Sequence, residues 1–170
     1  MLHCISNNFT RSDTITIRVI KTKKMKQTDT VPAILQGTWT YRSFLSNPDL
    51  NADFDSLEFG RGNIQINAAP MQTLDGLIYG PGWELTLKGS IAYGNPFTLQ
   101  FQGKGIVGGA EWIYNYRGYY VPNWMNGENQ RPAIVGSIVR AIPHPTGPNG
   151  KSTAPAGVVA QWIAVKQDEE

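Results

Sequence analysis

At 170 residues, 41% of them apolar and 16% charged, the chain is long enough for one domain with a hydrophobic core and too apolar for a disordered segment. No run approaches the roughly 20 consecutive apolar residues of a membrane-spanning helix. The formal charge of +2 is uneven, with +4 before residue 25 (Arg11, Arg18, Lys21, Lys23 and Lys24 against Asp13) and −2 in the remainder, and so near-neutral a body argues against a nucleic-acid surface.

The opening MLHCISNNFT lacks the apolar core of a secretory signal, so the expected location is cytoplasmic. Cys4 is the single cysteine and cannot form an internal disulfide. With only His3 and His144 as histidines it cannot anchor a zinc cluster either, and no metal or other cofactor is expected. Asn8-Phe9-Thr10 fits a glycosylation acceptor, but without an export signal the match has no consequence. Residues 1–30 read as a flexible extension, with the basic run Lys21 to Lys26 solvated and Met25 an alternative start. The alternation in Thr14-Ile15-Thr16-Ile17-Arg18-Val19 leaves open an added edge strand. Residues 31–170 read as one β-barrel domain.

From Ile34 onward the apolar period is two. Ile64 and Ile66 alternate with Asn63, Gln65 and Asn67; Trp83, Leu85 and Leu87 with Glu84, Thr86 and Lys88; Phe97, Leu99 and Phe101 with Thr98, Gln100 and Gln102. Each such run has one wet and one buried face. Strands are expected near 34–44, 55–59, 62–68, 72–79, 82–92, 97–106, 111–121, 132–141 and 156–166. Gly60-Arg61-Gly62, Gly80-Pro81-Gly82, Gly94-Asn95-Pro96 and Gly108-Gly109 supply turn chemistry between them. Consecutive hairpins with few crossovers predict an all-β, antiparallel up-and-down meander closed into a barrel of eight or nine strands, which leaves no free edge. The longer connections Pro122 to Pro132 and Pro143 to Pro155 are too proline-rich for strands, and flank strand 132–141 so that they should sit at opposite ends.

Familiar catalytic patterns are weak. Gly103-Lys104-Gly105-Ile106-Val107-Gly108 has G-x-G-x-x-G spacing, but strand-like sequence follows where a nucleotide fingerprint needs a helix. A Ser-His-Asp triad would have to use His144, which is flanked by prolines and accompanied by no Gly-x-Ser-x-Gly elbow; it reads as a loop histidine without a role. The carboxylate pairs Asp53 with Asp55, and Asp49 with Glu58, read as solvated surface acids. The aromatics carry more. Trp112, Tyr114, Tyr116 and Tyr120 share one parity of a strand, Trp39 and Tyr41 one face of the first, and Trp83 leads another. Rings with an OH or NH suit an apolar pocket that orients a ligand, or else they fill the barrel. Of the strand arginines Arg42, Arg117, Arg131 and Arg140, the last falls on the apolar parity of Ile134, Ile138 and Ile142, where burial would demand an acceptor.

Gly37-Thr38-Trp39, opening the first strand, resembles the Gly-x-Trp start of the calycin superfamily of lipocalins, fatty-acid-binding proteins and avidins. The meander order is similar over residues 34–166, and the ending at Lys166 with only four residues after it looks more like avidin than like a lipocalin with its late helix. The resemblance implies a ligand-binding barrel. The expected function is non-enzymatic binding of a small, partly apolar or aromatic molecule among Trp39, Tyr41, Trp83, Trp112, Tyr114 and Tyr116, with Trp124 and Arg131 at the mouth and no catalytic residue. The alternatives are a calycin-like isomerase or chromophore lyase, in which tyrosine or arginine moves protons, and an interaction module that binds a protein or another copy of itself. The expected partner is a small molecule, with no nucleic acid and no membrane.

Overall fold

The computed structural model describes residues 31–146 and 150–168. Eight antiparallel strands close into a barrel in the order β1-β10-β7-β6-β5-β4-β3-β2. They are β1 (Gly37–Leu45), β2 (Glu58–Ile66), β3 (Thr73–Gly80), β4 (Trp83–Ala92), β5 (Thr98–Val107), β6 (Ala110–Val121), β7 (Ala133–Arg140) and β10 (Val159–Lys166). Between β7 and β10 a short hairpin, β8 (His144–Thr146) with β9 (Ser152–Ala154), stands as its own two-stranded sheet. The barrel shuts where β1 meets β10, Trp39 opposite Lys166 and Tyr41 opposite Ala164. Among the described residues no helix is long and apolar enough to cross a membrane.

Alternation decides which side chains fill the interior. Leu85, Leu87 and Ile91 of β4 are buried while Glu84, Thr86 and Lys88 between them are exposed, and Leu99 and Phe101 repeat the pattern on β5. The β5–β6 turn is Gly108-Gly109 with φ of +57° and +82°, a two-residue turn whose twist matches its strands and which only glycine adopts without strain.

Two expectations are corrected. Gly60-Arg61-Gly62, expected as a turn between two strands, lies inside the single strand β2, while Phe54–Leu57 is a short 3-10 turn ahead of it. The glycines serve packing and bending instead: the register shifts between Ser43 and Phe44 beside Gly60, and Gly62 lies under the Trp83 ring. The connection 143–155 does contain strands, because Pro145 lies in a two-stranded sheet, all of it edge, where a missing N–H can face away from the partner. The segment 1–30, with its expected flexibility, its possible edge strand and Cys4, lies outside the described residues.

The two ends differ. At the end holding the start of β1 and the finish of β10, the turn 31–36 folds across the opening. Val31 and Leu35 are fully buried there, Val31 N–H donates to Ala69 O at 2.8 Å, and Trp39 Nε1 donates to Leu35 O at 3.1 Å. That end is plugged. At the other, β3–β4 and β5–β6 turn through Pro81-Gly82 and Gly108-Gly109, which are too short to reach across, while the longer β1–β2 and β7–β10 connections also lie there and the latter seats His144 against Trp112.

Candidate functional site

This second end is lined with rings, and glycines make room for them. A Cβ on Gly80 would lie 2.5 Å from Trp83 Nε1, and one on Gly62 would lie 3.1 Å from Trp83 Cζ2. Lower in the barrel a Cβ on Gly118 would stand 2.7 Å from Trp162 Cζ2. Tyr116 stacks on Phe101 with centroids 4.7 Å apart and meets Trp162 edge-on at 5.9 Å, so these three rings form a floor.

Above the floor is a cavity of about 220 Å³ lined by Tyr41, Ser43, Phe59, Gly60, Arg61, Trp83, Leu85, Trp112, Tyr114, Tyr116 and Ile138. An apolar cavity of about 150 Å³ is enough to take up benzene, so this one has room for a single-ring molecule with a small substituent. Its one lining cation, Arg61, makes an exposed ion pair with Glu58, which holds that carboxyl below its ordinary value.

Two hydrogen-bonded chains border the cavity. In the first, Ser43 Oγ donates to Gly60 O at 3.2 Å, beside the Tyr41 and Tyr116 rings, which meet edge-on at 6.3 Å. Burial pushes Tyr41 up to about 12, the neighbouring Ser43 and Tyr116 hydroxyls working the other way, and burial likewise raises Tyr116 well above the ordinary phenol value. Both rings therefore stay neutral at physiological pH. In the second chain, His144 Nδ1 lies 3.2 Å from Pro145 O. A carbonyl only accepts, so Nδ1 carries the proton and Nε2 is the acceptor for the Tyr114 hydroxyl at 2.9 Å. Arg140 Nε donates to the same hydroxyl at 3.4 Å, its Nη1 donates to Pro155 O at 2.9 Å, and its guanidinium lies 5.1 Å from the Phe59 ring centroid. His144 is 3% exposed and stacks on Trp112 at 4.1 Å. Burial lowers its pKa below the ordinary imidazole value; the Arg140 charge adds to this and the Pro145 carbonyl opposes it.

The structure brings Tyr41, Trp83, Trp112, Tyr114 and Tyr116 together around one cavity. Three expected members are elsewhere. Trp39 is buried in the plugged end. Trp124 and Arg131, expected at the mouth, belong to the β6–β7 connection, which runs at the plugged end because β6 finishes and β7 begins there. Trp124 is 78% exposed, and Arg131 pairs with Asp168 at 2.9 Å. His144, read as a loop residue without a role, is instead buried in the polar chain. Its histidine-proline context hid this, since the hairpin that carries it pairs only locally. Phe59 and Ser43 were also missed as site residues, though Ser43 shares the parity of Trp39 and Tyr41; Arg140, expected to need an acceptor if buried, finds the Tyr114 hydroxyl and Pro155 O.

Larger depressions, about 580 and 730 Å³, lie on the outer wall, lined by outward residues such as Ser90, Gln100 and Arg117. Hydrated polar side chains account for them, whereas the interior cavity presents apolar faces that water solvates poorly. Among the described residues no cluster of three or more His, Cys, Asp or Glu side chains could hold a metal. No family model, curated protein or solved structure matches this chain.

Proposed function

We propose that this barrel binds one small, apolar or aromatic molecule in the cavity at the end opposite the plug without transforming it, as a calycin-like carrier would. The observation that carries the reading is the asymmetry of the interior. One end is plugged by Trp39, Leu35 and Val31, while the other keeps about 220 Å³ open among Trp83, Trp112, Tyr114 and Tyr116. A barrel selected for stability alone would close both ends, since filling a cavity with hydrocarbon typically gains stability. Rings supply contact area at little entropic cost, and the few hydroxyls supply orientation.

Toluene titrated into the full chain should quench or shift tryptophan fluorescence with saturation, and Leu85→Trp, which fills the cavity, should abolish the response while the chain remains folded by circular dichroism. A non-saturating response, or one unaffected by Leu85→Trp, would sink the reading. A second reading, a calycin-like isomerase or lyase, draws on the Arg140–Tyr114–His144 chain, because a phenol held between an imidazole acceptor and a guanidinium donor is equipped to pass a proton.

A further inference from the structure

The barrel treats its interior indoles in two ways. Trp39 Nε1 donates to Leu35 O at 3.1 Å, and Trp162 Nε1 lies 3.0 Å from Ser137 O and 3.2 Å from Arg117 O, so each of these N–H groups ends on a backbone carbonyl. Neither ring lines the cavity. The two tryptophans that do, Trp83 and Trp112, have no hydrogen-bond partner for the indole nitrogen among the described residues. They differ in access. The Trp112 nitrogen is sealed within the wall, whereas that of Trp83 is open. Trp83 shares the inward parity of Leu85 and Leu87 on β4, and its ring lies over Gly80, where a Cβ would stand 2.5 Å from Nε1. A group that reaches this nitrogen therefore comes from the cavity side.

An indole N–H can only donate. The other polar groups of the cavity are engaged or can serve in both senses. Tyr114 gives its proton to His144 Nε2, Ser43 gives its own to Gly60 O, and Arg61 is paired with Glu58. The Tyr41 and Tyr116 hydroxyls can donate or accept. Trp83 is thus the lining group with a fixed and unmet requirement that an entering molecule can satisfy. A hydrocarbon closing over it would strip the N–H of water and offer nothing in return, whereas a carbonyl oxygen would replace the lost hydrogen bond. A carboxylate would also need a cation, and Arg61 is already taken by Glu58.

We propose that the cavity recognises a neutral, single-ring aryl carbonyl compound, with Trp83 Nε1–H as the specificity-determining donor to its carbonyl oxygen. The proposal rests on the binding reading above and adds the chemical class of the ligand.

The test uses the full chain with acetophenone and α-methylstyrene, which share one shape but differ in that a methylene group replaces the carbonyl oxygen. Each is titrated into wild type and into Trp83→Phe, which keeps a ring over Gly80 and removes the N–H. Comparing each compound across the two proteins cancels its own cost of leaving water, and α-methylstyrene reports any change in the cavity itself. The ratio of acetophenone to α-methylstyrene affinity should fall about 2- to 12-fold in Trp83→Phe, the worth of one hydrogen bond. A ratio that stays the same or rises would overturn the proposal. Wild type supplies a second readout that needs no folded variant. Its five tryptophans give five indole peaks in a proton–nitrogen correlation spectrum. At saturation, acetophenone should move the Trp83 indole proton downfield of its position with α-methylstyrene; the same position with both would overturn the proposal. Binding of toluene and α-methylstyrene without acetophenone removes this inference and leaves the binding reading standing, whereas wild-type protein that binds none of the three removes both.

Discussion

The two ends of this barrel are made by the same alternation on the same eight strands, yet one is plugged and the other holds a cavity. At the plugged end Trp39 is wholly buried and its N–H is satisfied by Leu35 O, with Val31 and Leu35 brought in by the turn ahead of β1. Tyr120 is the exception there: its hydroxyl is buried without a partner among the described residues, and burial raises its pKa. At the open end Ser43, His144 and Arg140 reach backbone carbonyls and Tyr114 bonds His144, while the Trp112 indole nitrogen is buried without a partner among the described residues. The strands set the cylinder. What distinguishes the ends is which connecting segment folds back across the opening and whether glycine stands opposite each ring.

That contrast gives an ordered set of perturbations. The largest effect belongs to the plug. Trp39→Ala should cost about 3–5 kcal/mol of stability, because a fully buried ring leaves a cavity that an eight-stranded wall cannot collapse into. Denaturant unfolding measures it; a loss under about 1 kcal/mol would show that the plug does not hold this end closed. Next comes Gly80→Ala, whose added methyl would press on the Trp83 indole. Overpacking of this kind typically costs about 1–3 kcal/mol. The displaced ring should also weaken toluene binding, which Trp39→Ala should leave nearly intact in whatever fraction remains folded.

The plug and the cavity differed equally in how well they could be read. Strand existence, antiparallel order and the inward parity of Trp112, Tyr114, Tyr116 and Tyr120 follow from period-two alternation, which is set by local geometry and visible in any window. Gly60-Arg61-Gly62 misled because the same residues that permit a turn also permit a bend inside a strand, and only the Trp83 ring across the barrel tells them apart. Which end a residue occupies was legible from strand direction, since β6 must finish where β1 begins; Trp124 and Arg131 were misplaced because their loop was judged by its aromatic and charged content. His144 was beyond reach, as its burial depends on a Tyr114 contact 30 positions away.

A smaller effect tests His144 through pH. Its folded pKa is depressed by burial, so between that value and the unfolded value near 6.5 the unfolded chain binds the extra proton. Stability contributed by neutral His144 is thus present above about pH 6.5 and is lost as pH falls through that value toward the folded pKa. Protonation would also turn Nε2 from acceptor to donor, opposing the Tyr114 hydrogen bond beside the Arg140 charge. Unfolding midpoints measured from neutral pH downward should decline more steeply for wild type than for His144→Gln, which keeps an acceptor and a donor but does not titrate in this range. Parallel curves would show that His144 is protonated equally in both states.

The smallest effect is expected from Trp124, and it separates the two ends most cleanly. A tryptophan in a ligand-binding barrel invites the reading that it guards the entrance, yet this one lies on the β6–β7 connection at the plugged end with 78% of its surface exposed. Its backbone is held by Gln130, which accepts from Trp124 N–H at 2.6 Å and donates to Trp124 O at 2.8 Å, so the loop conformation does not depend on the indole. Trp124→Ala should therefore shift stability by no more than about 0.5 kcal/mol, the usual range for an exposed side chain outside any special feature. Toluene affinity should not change at all, since the ring and the cavity are at opposite ends of the cylinder. A clear loss of toluene binding would mean that ligands enter past Trp124 and that the plug of Val31, Leu35 and Trp39 opens, reversing the assignment of mouth and base.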